Sequence, residues 1–87
     1  MAIKLAPNNS SAYFNRGNSK DDLEDYKGAI ADFTKAIEID PDYADTYNNR
    51  WSSKYSLDDL NGACADFRKA ISLGSTTNIE WVRNQCN

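Results

Sequence analysis

Eighty-seven residues with 13 acidic against 10 basic side chains, no histidine and a formal charge of −3 leave room for one domain with a modest core. A pI of about 4.7, without a block of like charges, provides no footprint for a nucleic-acid backbone or an anionic membrane. Cys64 and Cys86 stand far apart with no CxxC and no histidine, so a disulfide framework and a zinc site are not expected, nor any other cofactor. Cys64 reads instead as a small buried thiol, and a reducing cytoplasm is the compartment that fits. No apolar run approaches membrane-spanning length, and the N-terminus lacks the order of a signal peptide.

In chain order, helices are expected near 10–22, 26–39, 44–56, 60–73 and 77–86. The second carries the plainest signal, an apolar stripe of Ala29, Ile30, Phe33, Ala36 and Ile37 at helical spacing. Ala63, Cys64, Phe67, Ala70 and Ile71 repeat that stripe in the fourth helix. Breaks fall at "EDY", "DPDY", "LDDL" and "LGSTT", with Pro41 and Gly74 as stop signals. Thr77 and Glu80 form a capping box ahead of Trp81.

Sliding the chain by 34 residues superposes 13–37 on 47–71, with Tyr13 on Tyr47, Asn15 on Asn49, Arg16 on Arg50, Phe33 on Phe67 and Ile37 on Ile71. Internal repetition of that length means stacked supersecondary units. The same step backwards lays Pro41 on Pro7, so "MAIKLAP" reads as the tail of an earlier repeat whose body is missing. Forwards it lays Trp81 on Tyr47, which suggests a third unit cut to one capping helix.

A helix-turn-helix unit of this length, with Tyr13, Gly17, Ala29, Phe33, Ala36 and Pro41 in these relative places, resembles the tetratricopeptide repeat. "NRGNSK", "GAIADFTKAIEIDPDYA" and "EWVRNQC" resemble such repeats from bacterial, including cyanobacterial, proteins. The resemblance implies an all-α solenoid forming one domain over 1–87. Its parts are a remnant at 1–9, repeats at 10–43 and 44–77, and a capping helix at 78–87.

The second unit departs from the pattern where Ser75 replaces the terminal Pro and Trp51 replaces the Gly. In this family small residues let the paired helices approach closely, toward the short end of about 8–10 Å, and here Trp51 would face Ala63. Overpacking costs about 1–3 kcal/mol, which is large against a total stability of roughly 5–15 kcal/mol. Three outcomes are open. The helix shifts so that the indole reaches solvent or the groove. Alternatively, "SLDDLNG" (56–62) straightens and the 44–56 and 60–73 helices each pack on another molecule, a domain-swapped homo-oligomer and the outcome this reading favours. In the third, Trp51 is an exposed anchor for a different partner.

The resemblance also implies a concave face, lined by the first helix of each unit, that holds an extended peptide or a partner helix. By position its residues are Phe14, Asn15, Asn18 and Asp21, then Asn48, Asn49, Ser52 and Tyr55, then Ile79 and Arg83 from the cap. Asn18, Asn49 and Arg83 match part of the set with which some members clamp a C-terminal carboxylate. Phe14 and Ile79 stand where lysines would be needed, so clamping is not expected.

Asn15, Asn49, Arg16 and Arg50 also read as solvated faces, the arginines pairing with Asp32 and Asp66 as exposed ion pairs of little worth. Asp21-Asp22 and Asp58-Asp59 lack a histidine or an apolar pocket to make them catalytic. The function expected is a protein–protein interaction module, not an enzyme, that self-associates through Trp51, Ala63 and its truncated N-terminal edge. The alternative is a structural or designed homo-oligomeric assembly unit with no groove ligand.

Overall fold

The structure is a computed structural model that describes residues 9–75 together with Asn84 and Cys86. Its described residues form α1 (Ser10–Asp22), α2 (Tyr26–Ile39), α3 (Ala44–Ser56) and α4 (Leu60–Ser72). The expected boundaries hold, except that α4 ends at Ser72 rather than 73. The expected helix at 77–86 and the 1–9 remnant lie outside the described residues, apart from Asn9, Asn84 and Cys86.

Side chains fix where three of these helices begin. The Asn9 side chain accepts from the Ala12 N–H at 3.0 Å, that of Asp25 from Gly28 at 3.1 Å and that of Asp59 from Gly62 at 3.0 Å. Each capped donor would otherwise be one of the orphan N–H groups of a first turn. At α3 the N-cap position is Tyr43, which makes no side-chain cap bond.

α1, α3 and α4 stop by one repeated device, whereas α2 ends with the Asp40 N–H on the Ala36 C=O at 2.8 Å. Asp25 N–H bonds Lys20 C=O at 2.8 Å and Glu24 N–H bonds Asp21 C=O at 2.9 Å, the paired bonds of a Schellman turn. Asp59 and Asp58 repeat it on Lys54 and Tyr55, and Ser75 and Gly74 on Ala70 and Ile71. The turn needs a left-handed residue, supplied by Gly74 at φ 105° but by Glu24 and Asp58 at φ 62°. The short links at 23–25 and 57–59 fold α1 on α2 and α3 on α4 as antiparallel hairpins. α2 also packs on α3, which joins the two hairpins.

The core follows the predicted stripes. Ala29, Phe33 and Ala36 of α2 and Ala63, Phe67 and Ala70 of α4 are at most 1% exposed. This all-α arrangement of repeated hairpins agrees with the fold that the resemblance implied.

Two expectations need correction. Cys64 is buried but not a free thiol, because it is disulfide-bonded to Cys86 with Cα atoms 5.5 Å apart. The Arg68 guanidinium donates to the Cys86 carbonyl beside the bridge. The cysteine-based argument for a reducing compartment falls with the free thiol.

The arginine pairs are real, but their carboxylates are buried. Asp32 and Asp66 are 3% exposed, each held by a bidentate arginine and a lysine. Arg16 reaches Asp32 at 2.7 and 2.8 Å with Lys20 at 3.2 Å; Arg50 reaches Asp66 at 2.6 and 2.8 Å with Lys54 at 3.1 Å. Both clusters clip the first helix of a hairpin to its second. Burial alone pushes the Asp32 carboxyl up, but hydrogen bonds and charge from Arg16 and Lys20 outweigh it and hold the group below its ordinary value.

Candidate functional site

The first helices of the two hairpins, α1 and α3, lie side by side, and polar side chains fasten them. Asn49 Nδ2 donates to Asn18 Oδ1 at 2.7 Å, and Ser53 Oγ donates to Asp21 Oδ1 at 2.7 Å. Three of the expected groove residues, Asn18, Asp21 and Asn49, therefore hold the helices in register. Arg50 adds a bond from Nη1 to Thr34 Oγ1 at 3.2 Å, joining α3 to α2.

Aromatic packing differs between the hairpins in one respect. A Cβ on Gly17 would meet Phe33 Cε1 at 2.6 Å, so the Phe33 ring fills that space itself. Phe14 leans on the same ring at 6.0 Å and 54°. In the second hairpin Asn48 stands in the place of Phe14 and Trp51 in that of Gly17. The Trp51 indole stacks on Phe67 at 4.3 Å and 26°, and Tyr55 meets it edge-on at 6.2 Å. Each buried Phe thus has one aromatic neighbour on the opposite helix, one turn apart in the two repeats. Trp51 thus has ring contacts with Phe67 and Tyr55, and Ala63 is fully buried on α4.

The remaining expected residues sit as follows. Asn15 is exposed, Ser52 is half-buried and Tyr55 is 49% exposed. Asn48 Nδ2 donates to Ser75 Oγ at 3.1 Å, while its Oδ1 is buried without a partner among the described residues. Ile79 and Arg83 lie outside the described residues.

A cleft of about 270 Å³ opens where the start of α1 meets the join of α2 and α3. Phe14 and Asn15 line it from α1, and Asp40, Tyr43 and Thr46 line it from the join. Phe14 and Tyr43 meet edge-to-face at 5.6 Å and 65°. The Tyr43 phenol is held above its ordinary range, first by hydrogen bonding and charge from Asp45, then by burial and by Asp40. Sequence reasoning found Phe14 and Asn15 and missed Asp40, Tyr43 and Thr46, because "DPDY" was legible only as a helix break. An aromatic directly before a helix, with carboxylates on both sides, was the signal available.

With this geometry in place, the class is that of a helical-repeat protein. More particularly, residues 10–43 match the tetratricopeptide repeat, a span covering α1, α2 and the link into α3. Its stretch carries the Tyr13, Gly17, Ala29, Phe33, Ala36 and Pro41 pattern. No curated protein gives a significant match. Proteins with this repeat typically act as scaffolds for protein–protein contact rather than as enzymes. Among the described residues no helix is long and apolar enough to cross a membrane.

Proposed function

We propose that this chain is a protein–protein interaction module that holds an extended peptide or a partner helix along the face made by α1 and α3. The observation that carries the reading is the cleft between Phe14, Asn15 and Tyr43, the described cavity that opens on this face. Exposed Asn15 offers both a donor and an acceptor for a peptide backbone, and Tyr55 offers flat apolar contact farther along. Asn18, Asp21 and Asn49 support the face by fastening its helices, with Asn48 and Ser52 beside them. Ile79 and Arg83 extend the same proposal toward the C-terminus.

The test is selection from a displayed peptide library, followed by dissociation constants for Phe14→Ala, Asn15→Ala and Tyr55→Ala. Loss of affinity on the first two, with the helical circular dichroism retained, supports the reading. Selected peptides that bind all three variants unchanged contradict it.

Self-association is a second reading, favoured by one observation: Trp51 and Tyr55 form a partly exposed aromatic pair beside α4. In this reading a second copy covers the pair, either face to face or by exchange of helices about the 57–59 turn. Sedimentation equilibrium separates the cases. A concentration-dependent dimer that Tyr55→Ser dissociates supports self-association, and a monomer throughout removes it.

A further inference from the structure

The step of 34 residues that relates the two hairpins also relates their second helices. It lays Cys64 and Arg68 of α4 on Ile30 and Thr34 of α2, and Cys86 on Ser52 of α3. α2 packs on α3, and Thr34 Oγ1 accepts from Arg50 Nη1 of that helix. Ile30 lies one turn before Thr34 and so on the same side of α2. On α4 the same two places hold residue 86, Cys64 through the disulfide and Arg68 through its bond to the Cys86 carbonyl. Residue 86 thus stands against α4 where a whole helix stands against α2, and its hold is covalent.

A covalent hold of this kind depends on the oxidation state of two sulfurs. Cys64 and Cys86 are each 6% exposed, so a reductant reaches them through local opening around residue 86. One thiolate of a dithiol reductant attacks a bridge sulfur, which forms a mixed disulfide and releases the other cysteine. Its second sulfur then displaces the remaining cysteine. Two electrons pass to the bridge, the two cysteines take up two protons, and the reductant leaves as its own disulfide.

We infer that the bridge is a redox latch over a docking face. Oxidised, it keeps residue 86 on α4; reduced, it opens the Cys64–Arg68 side of α4 to a helix of a protein partner that carries a carboxylate opposite Arg68. Charge decides against a second copy as the occupant. A helix seated on α4 as α3 is on α2 brings its counterpart of Arg50 beside Arg68. In α1 of another copy that counterpart is Arg16, and Arg16 with Lys20 outweighs the single Asp32 they share. Two guanidiniums would meet there, whereas a carboxylate pairs with Arg68. The inference goes beyond the peptide-face reading, which rests on α1 and α3.

The experiment compares the whole chain oxidised and after reduction with dithiothreitol. Mass spectrometry follows iodoacetamide labelling of Cys64 and Cys86 in the reduced chain, with the urea-unfolded chain as the reference. The binding probe is a peptide of residues 44–56 carrying Arg50→Glu, crosslinked to stay helical because a helix of 13 residues is marginal alone. Labelling of both thiols within about tenfold of the unfolded rate, with the helical circular dichroism retained, supports the latch. Probe binding at least about tenfold tighter to the reduced than to the oxidised chain, and weakened by Arg68→Ala or by the unsubstituted peptide, supports the docking face. Thiols protected about a hundredfold in the reduced chain overturn the inference. Loss of helix on reduction overturns it too, since the bridge is then a structural staple only. Probe binding that is absent, or equal in the two oxidation states, also overturns it.

Discussion

The Trp51 indole stacks on Phe67 at 4.3 Å with 26° between the ring planes. Offset stacking at this distance is favourable beyond the area it buries. Steric reasoning from Gly17 makes Trp51 a source of strain, whereas the packing makes it the cover of a core ring that Phe14 covers in the first repeat.

Trp51→Gly is therefore expected to destabilise the chain by about 3 kcal/mol, from lost ring packing and the poor helix propensity of Gly. Adding Asn48→Phe should recover about 1–2 kcal/mol, because it restores a ring over Phe67 and removes the unpartnered Asn48 Oδ1. Urea unfolding of both variants and of Asn48→Phe alone gives the coupling. Stabilisation by Trp51→Gly would mean that the indole is strained after all.

Removing Asp66 should leave Arg50 and Lys54 unpaired in a largely buried setting. Asp66→Ala is expected to cost about 3–5 kcal/mol, and Asp32→Ala less, since Arg16 is 37% exposed against 17% for Arg50. The folded Asp32 carboxyl titrates below its unfolded value, so its stabilisation is complete above about pH 3.9. It is lost as pH falls through the lower, folded value. Urea midpoints measured from pH 6 down to 2 should show this slope in the parent and a shallower one in Asp32→Asn.

Glu24 and Asp58 hold the left-handed position of their turns at φ 62°. Glycine there avoids a cost of about 1–2 kcal/mol and gives back part of it as unfolded-chain entropy. Glu24→Gly and Asp58→Gly should each raise stability by about 0.5–1 kcal/mol, read as a higher melting temperature. Gly74 already occupies the third such turn, so Gly74→Ala should act in the opposite direction.

The Cys64–Cys86 bridge closes a loop of 22 residues in sequence separation, for which the chain-entropy account gives about 3 kcal/mol. Unfolding in reducing buffer should show a loss of that order, and Cys86→Ser should match it. No change on reduction would mean that the bridge constrains the unfolded chain little.

Much of the fold was legible because the sequence states it twice. Phe33 and Phe67, Ala29 and Ala63, and the turn carboxylates Asp25 and Asp59 recur at one spacing, and recurrence sets the helix boundaries. The burial of Asp32 and Asp66 was half legible, since Arg and Lys recur at fixed offsets from each, but the exposure of an ion pair is a tertiary property. The disulfide was not legible: Cys64 and Cys86 share no motif, and only the fold brings them together. The partner of Trp51 was misread because Gly17 was compared alone, without the exchange of Phe14 for Asn48 one turn earlier. The candidate site was legible at Phe14 and Asn15 and hidden at Asp40, Tyr43 and Thr46, which meet α1 only when the second hairpin packs beside the first.

The most direct test of the partner-binding face is backbone amide shift mapping with the tightest peptide from library selection. Shifts confined to α1, α3 and the 40–43 join, strongest near Asn15, Tyr43 and Tyr55, are the predicted result. Shifts confined to α2 and α4 would contradict the account and move the binding surface to the opposite side of the hairpins.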